Sequence, residues 1–145
     1  MPNISSTRLL SPGDEALLIR LAGKFYNSQL SAAEAEALLK RKEQFMLCIL
    51  ERGALAGFCY FHILPRWYDG VNEIFLYDLE VEEEHQRKGY GRRLFRKVFN
   101  IAKDRDIPII WLLAKGSNDK AMQFYKEMGG KIQTKEAVLI EFYPY

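Results

Sequence analysis

Hydrophobic positions along the chain switch between a spacing of two and a spacing near 3.6, and each switch marks a change of element. Residues 4–9 read as a first short strand. Ser11-Pro12 then supplies an N-cap and a first-turn proline, and Leu17, Leu18, Leu21, Ala22 and Phe25 recur at helical spacing. A second helix, rich in alanine and glutamate and half exposed, follows from Ser31, where Glu34 three residues on completes a capping box before Leu38 and Leu39. Residues 44–51 and 54–64 are strand-like runs joined across Arg52-Gly53, a hairpin signal, and Pro65 ends the second. After a loop carrying Trp67, Tyr68, Asp69 and Gly70, residues 73–81 read as a central strand. A helix is predicted over 89–105, with Leu94, Phe95, Val98, Ile101 and Ala102 as its apolar stripe and arginines and lysines opposite. Residues 108–114 predict a buried strand. Ser117 or Asn118 caps a last helix that turns Ala121, Met122, Phe124, Tyr125 and Met128 inward, and Gly129-Gly130 ends it. Two closing strands, near 131–133 and 137–142, bring the expected totals to about seven strands and about four helices.

At 145 residues the chain suits one α/β domain over residues 1–145, with no repeat and no linker-like tract. Hydrophobic residues make up 48% and charged residues 28%, which excludes a disordered or fibrous chain. A formal charge of +2 falls well short of a dedicated nucleic-acid binder, so no nucleic-acid partner is expected. The first ten residues lack the succession of a signal peptide, and no apolar run is long enough to span a bilayer, so the expectation is a cytoplasmic protein with no membrane partner. Cys48 and Cys59 form no metal-ligand pattern, and no metal is expected. Both read as small core hydrophobes, since His62, three residues from Cys59, points to the opposite face of the same strand.

The segment from Leu79 to Gly91 changes the picture. A strand runs into a polar loop and directly into a helix, and the loop ends Gln86-Arg87-Lys88-Gly89-Tyr90-Gly91. Glycines let the backbone approach a ligand, and the unpaired N–H groups of a helix start attract phosphate oxygens. Arg87, Lys88, Arg92 and Arg93 add charge-assisted contacts suited to a pyrophosphate. By itself the pattern is equally a tight strand-to-helix turn with solvated cations, because a Gly-x-Gly pair arises by chance roughly 0.7 times in such a length at about 7% glycine.

This loop, the strand end Leu79-x-Val81 before it, and the downstream Asn118-x-x-Ala121-x-x-Phe124-Tyr125-x-x-x-Gly129 are similar in content and spacing to motifs of the GCN5-related N-acetyltransferases. The chain resembles that family over almost its whole length. The resemblance implies a mixed, mostly antiparallel central sheet flanked by helices, and an enzyme that moves an acetyl group from acetyl-CoA to a primary amine of a small molecule or peptide. It implies that Leu79, Glu80 and Val81 meet the pantetheine arm through the backbone and that Gln86, Arg87, Lys88, Gly89, Tyr90, Gly91 and Arg92 surround the pyrophosphate. Asn118 and Ala121 would also meet the cofactor, Asn118 while capping its helix. Tyr125 is either a core aromatic or, as the resemblance implies, the acid that protonates the departing thiolate.

The acceptor side is less sharply written. An alkylammonium with a pKa near 10.4 must lose a proton before attack, at a cost of roughly 4.6 kcal/mol at pH 7, so a base is expected. Alternation places Glu73, Phe75, Tyr77, Leu79 and Val81 on one face, with Asp78 and Glu80 on the other unless a bulge intervenes. Glu73 is thus the best-aligned carboxylate, although family members with a glutamate base often carry it where this chain has Phe75 or Tyr77. Phe25, Tyr26, Trp67, Tyr68 and Tyr77 are the candidate acceptor-binding aromatics, with core packing as their alternative role. A non-catalytic acyl-CoA-binding module of the same fold is the competing function, and homodimerisation is left open.

Overall fold

A computed structural model describes residues 4–145 of the chain. The chain divides into two compact units, Met1–Leu112 and Leu113–Tyr145. The first unit is built on one five-stranded sheet in the order β1 (Ser5–Leu9), β2 (Gln44–Glu51), β3 (Ala54–Pro65), β4 (Asn72–Val81) and β5 (Ile110–Trp111). Neighbours are antiparallel except β4 and β5, which are parallel. Arg52 and Gly53 take up φ of +51° and +81° to turn the β2–β3 hairpin, the left-handed pair that the twist of two antiparallel strands favours.

Two helices, α1 (Glu15–Tyr26) and α2 (Ala32–Leu39), bring Leu18, Leu21 and Ala35 into a buried cluster with Cys48 and Phe58. Helix α3 (Tyr90–Asp104) buries Leu94, Phe95, Val98 and Ala102, the face on which its apolar residues recur every three or four positions. Leu94 is fully buried, so Leu94→Ala would cost about 2–5 kcal/mol. Ser31 accepts a hydrogen bond from Glu34 N while the Glu34 carboxylate accepts from Ser31 N, the expected capping box. Helix α1 starts later than predicted. Its N-cap is Asp14, whose carboxylate accepts from Ser11 N at 2.9 Å and from Arg8 Nη2 at 2.6 Å, so Ser11 and Pro12 lie in a preceding turn.

The predicted buried strand over 108–114 is reduced to two residues, since the ladder with β4 consists of Ile74↔Ile110 and Phe75↔Trp111. Trp111 is partly exposed and stacks on Phe75 with ring centroids 4.5 Å apart. Cys48 and Cys59 are fully buried, and burial pushes their thiols up to about 11 and about 12, so neither is a nucleophile at neutral pH.

The second unit contains α4 (Asp119–Glu127). Asn118 caps it by accepting from Ala121 N at 3.1 Å, and Gly129, at φ +93°, ends it. Gly130 follows with its N–H donated to Tyr125 O at 2.9 Å, an approach that a side chain at position 130 would obstruct. The two closing strands expected near 131–133 and 137–142 are not formed among the described residues, so the sheet has five strands rather than about seven. The alternating side chains Val138, Ile140 and Phe142 supply a strand's pattern, but a strand also needs a ladder partner, and here all three are exposed.

Candidate cofactor and acceptor site

The site begins with an irregularity in β4. Tyr60 of β3 pairs with Asp78, but Phe61 pairs with Leu76, so Tyr77 is an extra residue bulged from the ladder. The bulge shifts the alternation. Cross-strand partners share a face, so Asp78 and Glu80, opposite Tyr60 and Phe58, lie on the same face as Phe75 and Glu73, opposite His62 and Leu64. Leu79 and Val81 pair with Cys59 and Gly57 on the other face, which corrects the simple alternation expected from sequence.

Among the described residues the β4–β5 ladder ends at Phe75 and Trp111, so the backbone from Tyr77 to Val81 has no β5 partner. On the β3 side, Gly57 permits close approach, since a Cβ there would stand 2.7 Å from Glu80 O.

Beyond Val81 the chain passes through a short 3₁₀ turn, Glu83–His85, into α3. Gly89 is the N-cap, at φ +77°, and offers no side chain to the helix start, and the first turn carries no acidic residue. A left-handed glycine followed by such a start is a ready anion site. The surrounding side chains are fastened. Gln86 Nε2 donates to Val81 O at 3.0 Å, and Glu82 N to Ala56 O at 2.8 Å. Lys88 Nζ donates to both carboxylate oxygens of Glu51, at 2.9 and 3.1 Å, and Tyr90 Oη donates to Glu51 Oε1 at 2.5 Å. His85 Nδ1 lies 2.9 Å from Glu51 Oε2, in contact though not aligned as a hydrogen bond. The Tyr90 hydroxyl, and then the Lys88 ammonium, hold the Glu51 carboxyl at about 2, so it is ionised throughout the neutral range. Glu82, Glu84 and His85 also converge, but Glu82 already pairs with Lys24 at 2.7 Å and His85 Nδ1 faces Glu51.

The opposite end of β4 holds the acceptor candidates. Glu73 sits 3.7 Å from Arg66 Nη1, and Arg66 also makes a two-point contact with Asp69, at 2.7 and 3.2 Å. Asp78 and Glu80 lie nearer the loop that leads into α3, and burial raises both carboxyl pKa values, for Glu80 with help from the Asp78 charge. Around them runs a chain of rings, with Tyr77 5.9 Å from Tyr60, 6.2 Å from His62 and 5.9 Å from Phe75 between centroids. The other aromatics scatter. Phe25 packs on Phe58 at 4.8 Å in the core, and Tyr26 meets the edge of the same ring while lining a cleft of about 550 Å³ under α1 and α2. Trp67 and Tyr68 contact each other and are exposed. In the second unit, Tyr125 is half-buried on α4 with its ring 5.4 Å from Phe124.

Sequence reasoning missed Glu51 and Tyr60. Glu51 reads only as a strand-end carboxylate, and its partners lie 37 and 39 residues away. Tyr60 gains its place from a bulge on the neighbouring strand, and no spacing in β3 announces that.

A family model described as "Acetyltransferase (GNAT) family" matches residues 15–130. The chain belongs to the GNAT family. Among curated GNAT relatives, the [ribosomal protein bS18]-alanine N-acetyltransferase of Escherichia coli strain K12 is 25% identical over 81 residues, 56% of this chain and 51% of the relative. The chain thus matches about half the length of that relative. An aminoglycoside acetyltransferase from an uncultured soil metagenomic sample is similar in structure, with TM-score 0.83 and 25% identity over 97% of this chain and 98% of the other. An aminoglycoside N-acetyltransferase solved in complex with CoA shares the GNAT fold at TM-score 0.74 and 14% identity, over 100% of this chain and 98% of its own. Among the described residues, no helix is long and apolar enough to cross a membrane.

Proposed function

We propose that this GNAT protein is an acetyl-CoA-dependent N-acetyltransferase that acetylates a primary amine of a small molecule or a peptide by direct attack on the thioester. The observation that supports it most is the β4 edge without a β5 partner at residues 77–81, leading directly to a glycine-capped helix start. The first feature suits the amides of a pantetheine arm, and the second suits a pyrophosphate. The GNAT membership and the relatives' names, which include a protein-alanine and an aminoglycoside acetyltransferase, support the same chemistry.

In this reading the amine nitrogen adds to the thioester carbonyl carbon, and a backbone N–H at 79–81 stabilises the oxyanion that forms. The intermediate collapses by breaking the C–S bond, the acetyl group stays on nitrogen, and Tyr125 gives its phenolic proton to the CoA thiolate. A carboxylate accepts the proton that the ammonium loses before attack, and the second proton leaves the nitrogen on collapse and returns through solvent to the Tyr125 phenolate. Glu73 is held beside Arg66, whereas burial of Asp78 raises its basicity, and Asp78 is the base in this reading. The rings of Tyr60 and Tyr77 and the carboxylates of Asp78 and Glu80 suit an acceptor that arrives as a cation. Thiol release from acetyl-CoA, measured across polyamines, amino acids, aminoglycosides and peptides, tests the proposal. Amine-dependent release with a matching N-acetyl product supports it, and binding of CoA without release for any amine would leave the non-catalytic module.

A further inference from the structure

We propose that Glu51, at the end of β2, is a positioning residue for the cofactor, because its carboxylate gathers Tyr90, Lys88 and His85 and so holds residues 85–91 in the shape that presents their backbone to the pyrophosphate. The inference rests on the proposed binding of acetyl-CoA by this loop and adds to it a residue from a distant strand.

The loop needs a fastener. Arg87, which is not a glycine, takes φ of +66°, and Gly89 follows at +77°, so two of three consecutive positions occupy a region that an isolated chain rarely visits in succession. The flanks are tied elsewhere. Glu82 N bonds to Ala56 O on one side, and on the other Arg93 Nη1 bonds to Ser5 Oγ while the guanidinium stands 5.6 Å over the Tyr90 ring. Between those ties Gln86 Nε2 holds Val81 O, and three further side chains gather on one carboxylate, which takes up the Tyr90 hydroxyl and the Lys88 ammonium with His85 against its second oxygen. The Glu51 side chain is 13% exposed, and Tyr90 and His85 are buried, so water competes poorly for these bonds. Lys88 directs its ammonium at Glu51, and its effect on the cofactor runs through loop shape.

If the loop without this fastener spends about a tenth of its time in the binding shape, the apparent dissociation constant rises about tenfold. Saturating acetyl-CoA restores the shape. Glu51→Ala should therefore raise the Kd for CoA and the KM for acetyl-CoA about tenfold, while kcat and the acceptor KM stay within twofold. Glu51→Gln keeps an acceptor for Tyr90 and should fall between the two, at about threefold. Tyr90→Phe loosens the same fastener, so combining it with Glu51→Ala should weaken binding little further than Glu51→Ala alone.

Calorimetric CoA titration, steady-state kinetics and thermal melting of the full chain test this together. CoA affinity of folded Glu51→Ala within twofold of wild type would overturn the proposal. So would kcat and both KM values worsening together, or the losses of Glu51→Ala and Tyr90→Phe multiplying. If Glu51→Ala does not fold, the nearly isosteric Glu51→Gln decides by the same comparison, threefold weaker binding against none. A wild-type protein that binds no CoA would overturn the loop reading itself, a result distinct from a bound cofactor indifferent to Glu51.

Discussion

The two ends of β4 are built differently. At its C-terminal end every turn of the chain is fixed by a named contact: Glu82 to Ala56, Gln86 to Val81, and Tyr90 and Lys88 to Glu51. At its N-terminal end the loop from Arg66 to Val71 is held by a short local clip, in which Asp69 takes Arg66 and the Val71 N–H, and it carries Trp67 at 93% exposure. The first end has the fixed shape that the proposed cofactor site needs, and the second leaves large side chains able to reorganise around a ligand. On the proposed function, donor recognition is therefore built into the fold, while acceptor recognition is completed on binding.

The largest effect expected separates chemistry from preformed binding. Tyr125→Phe keeps the ring beside Phe124, so CoA affinity and melting temperature should hold while turnover falls by about a hundredfold. Single-turnover kinetics on the acetyl-CoA-loaded variant, started with amine, measures it, and near wild-type turnover would return Tyr125 to packing.

Asp78→Asn sharpens the comparison at the point where the two ends meet. Turnover should fall roughly tenfold or more, whereas Glu73→Gln, whose carboxylate already has Arg66 for a partner, should stay within about threefold. Stability should move the other way. Burial raises the Asp78 pKa, so its favourable contribution is complete below the ordinary value of 3.8 and is lost as pH rises through the raised one. Asn cannot ionise. The variant should therefore melt higher than wild type at neutral pH, with the gap closing in acid, as parallel melts at several pH values would show.

The smallest effect belongs to the open end. Trp67→Ala removes a ring that leaves the core untouched, so stability should change by less than about 0.5 kcal/mol. CoA affinity should not change, and the acceptor KM should rise a few-fold, as kinetics with saturating acetyl-CoA would detect. A loss of CoA affinity in this variant would break the division between the ends.

Much of this arrangement was legible in the sequence wherever the determinant was local. The Ser31 capping box, the Arg52-Gly53 hairpin, the apolar stripe of α3 and the Asn118 cap each depend on residues a few positions apart, and each is present. Features set by pairing between distant segments were not. The extra residue at Tyr77 follows from how β3 and β4 register, and it moved Asp78 and Glu80 to the face of Glu73 and Phe75 against a sound alternation argument. Residues 137–142 have a strand's pattern without a ladder, and β5 pairs over two residues where seven were expected. Glu51 was invisible for the same reason, because its role lies wholly in its partners on another segment.

Calorimetric titration of CoA into wild type and Gly89→Val tests the preformed cradle most directly. Gly89 stands at φ +77° with open space where a Cβ would go, so Val there resists the backbone conformation and, on the proposed function, would stand in the path of the pyrophosphate. The account predicts a variant that stays folded by thermal melting and binds CoA at least about tenfold more weakly than wild type. A folded variant whose CoA affinity lies within a factor of two of wild type would contradict it and place the pyrophosphate elsewhere.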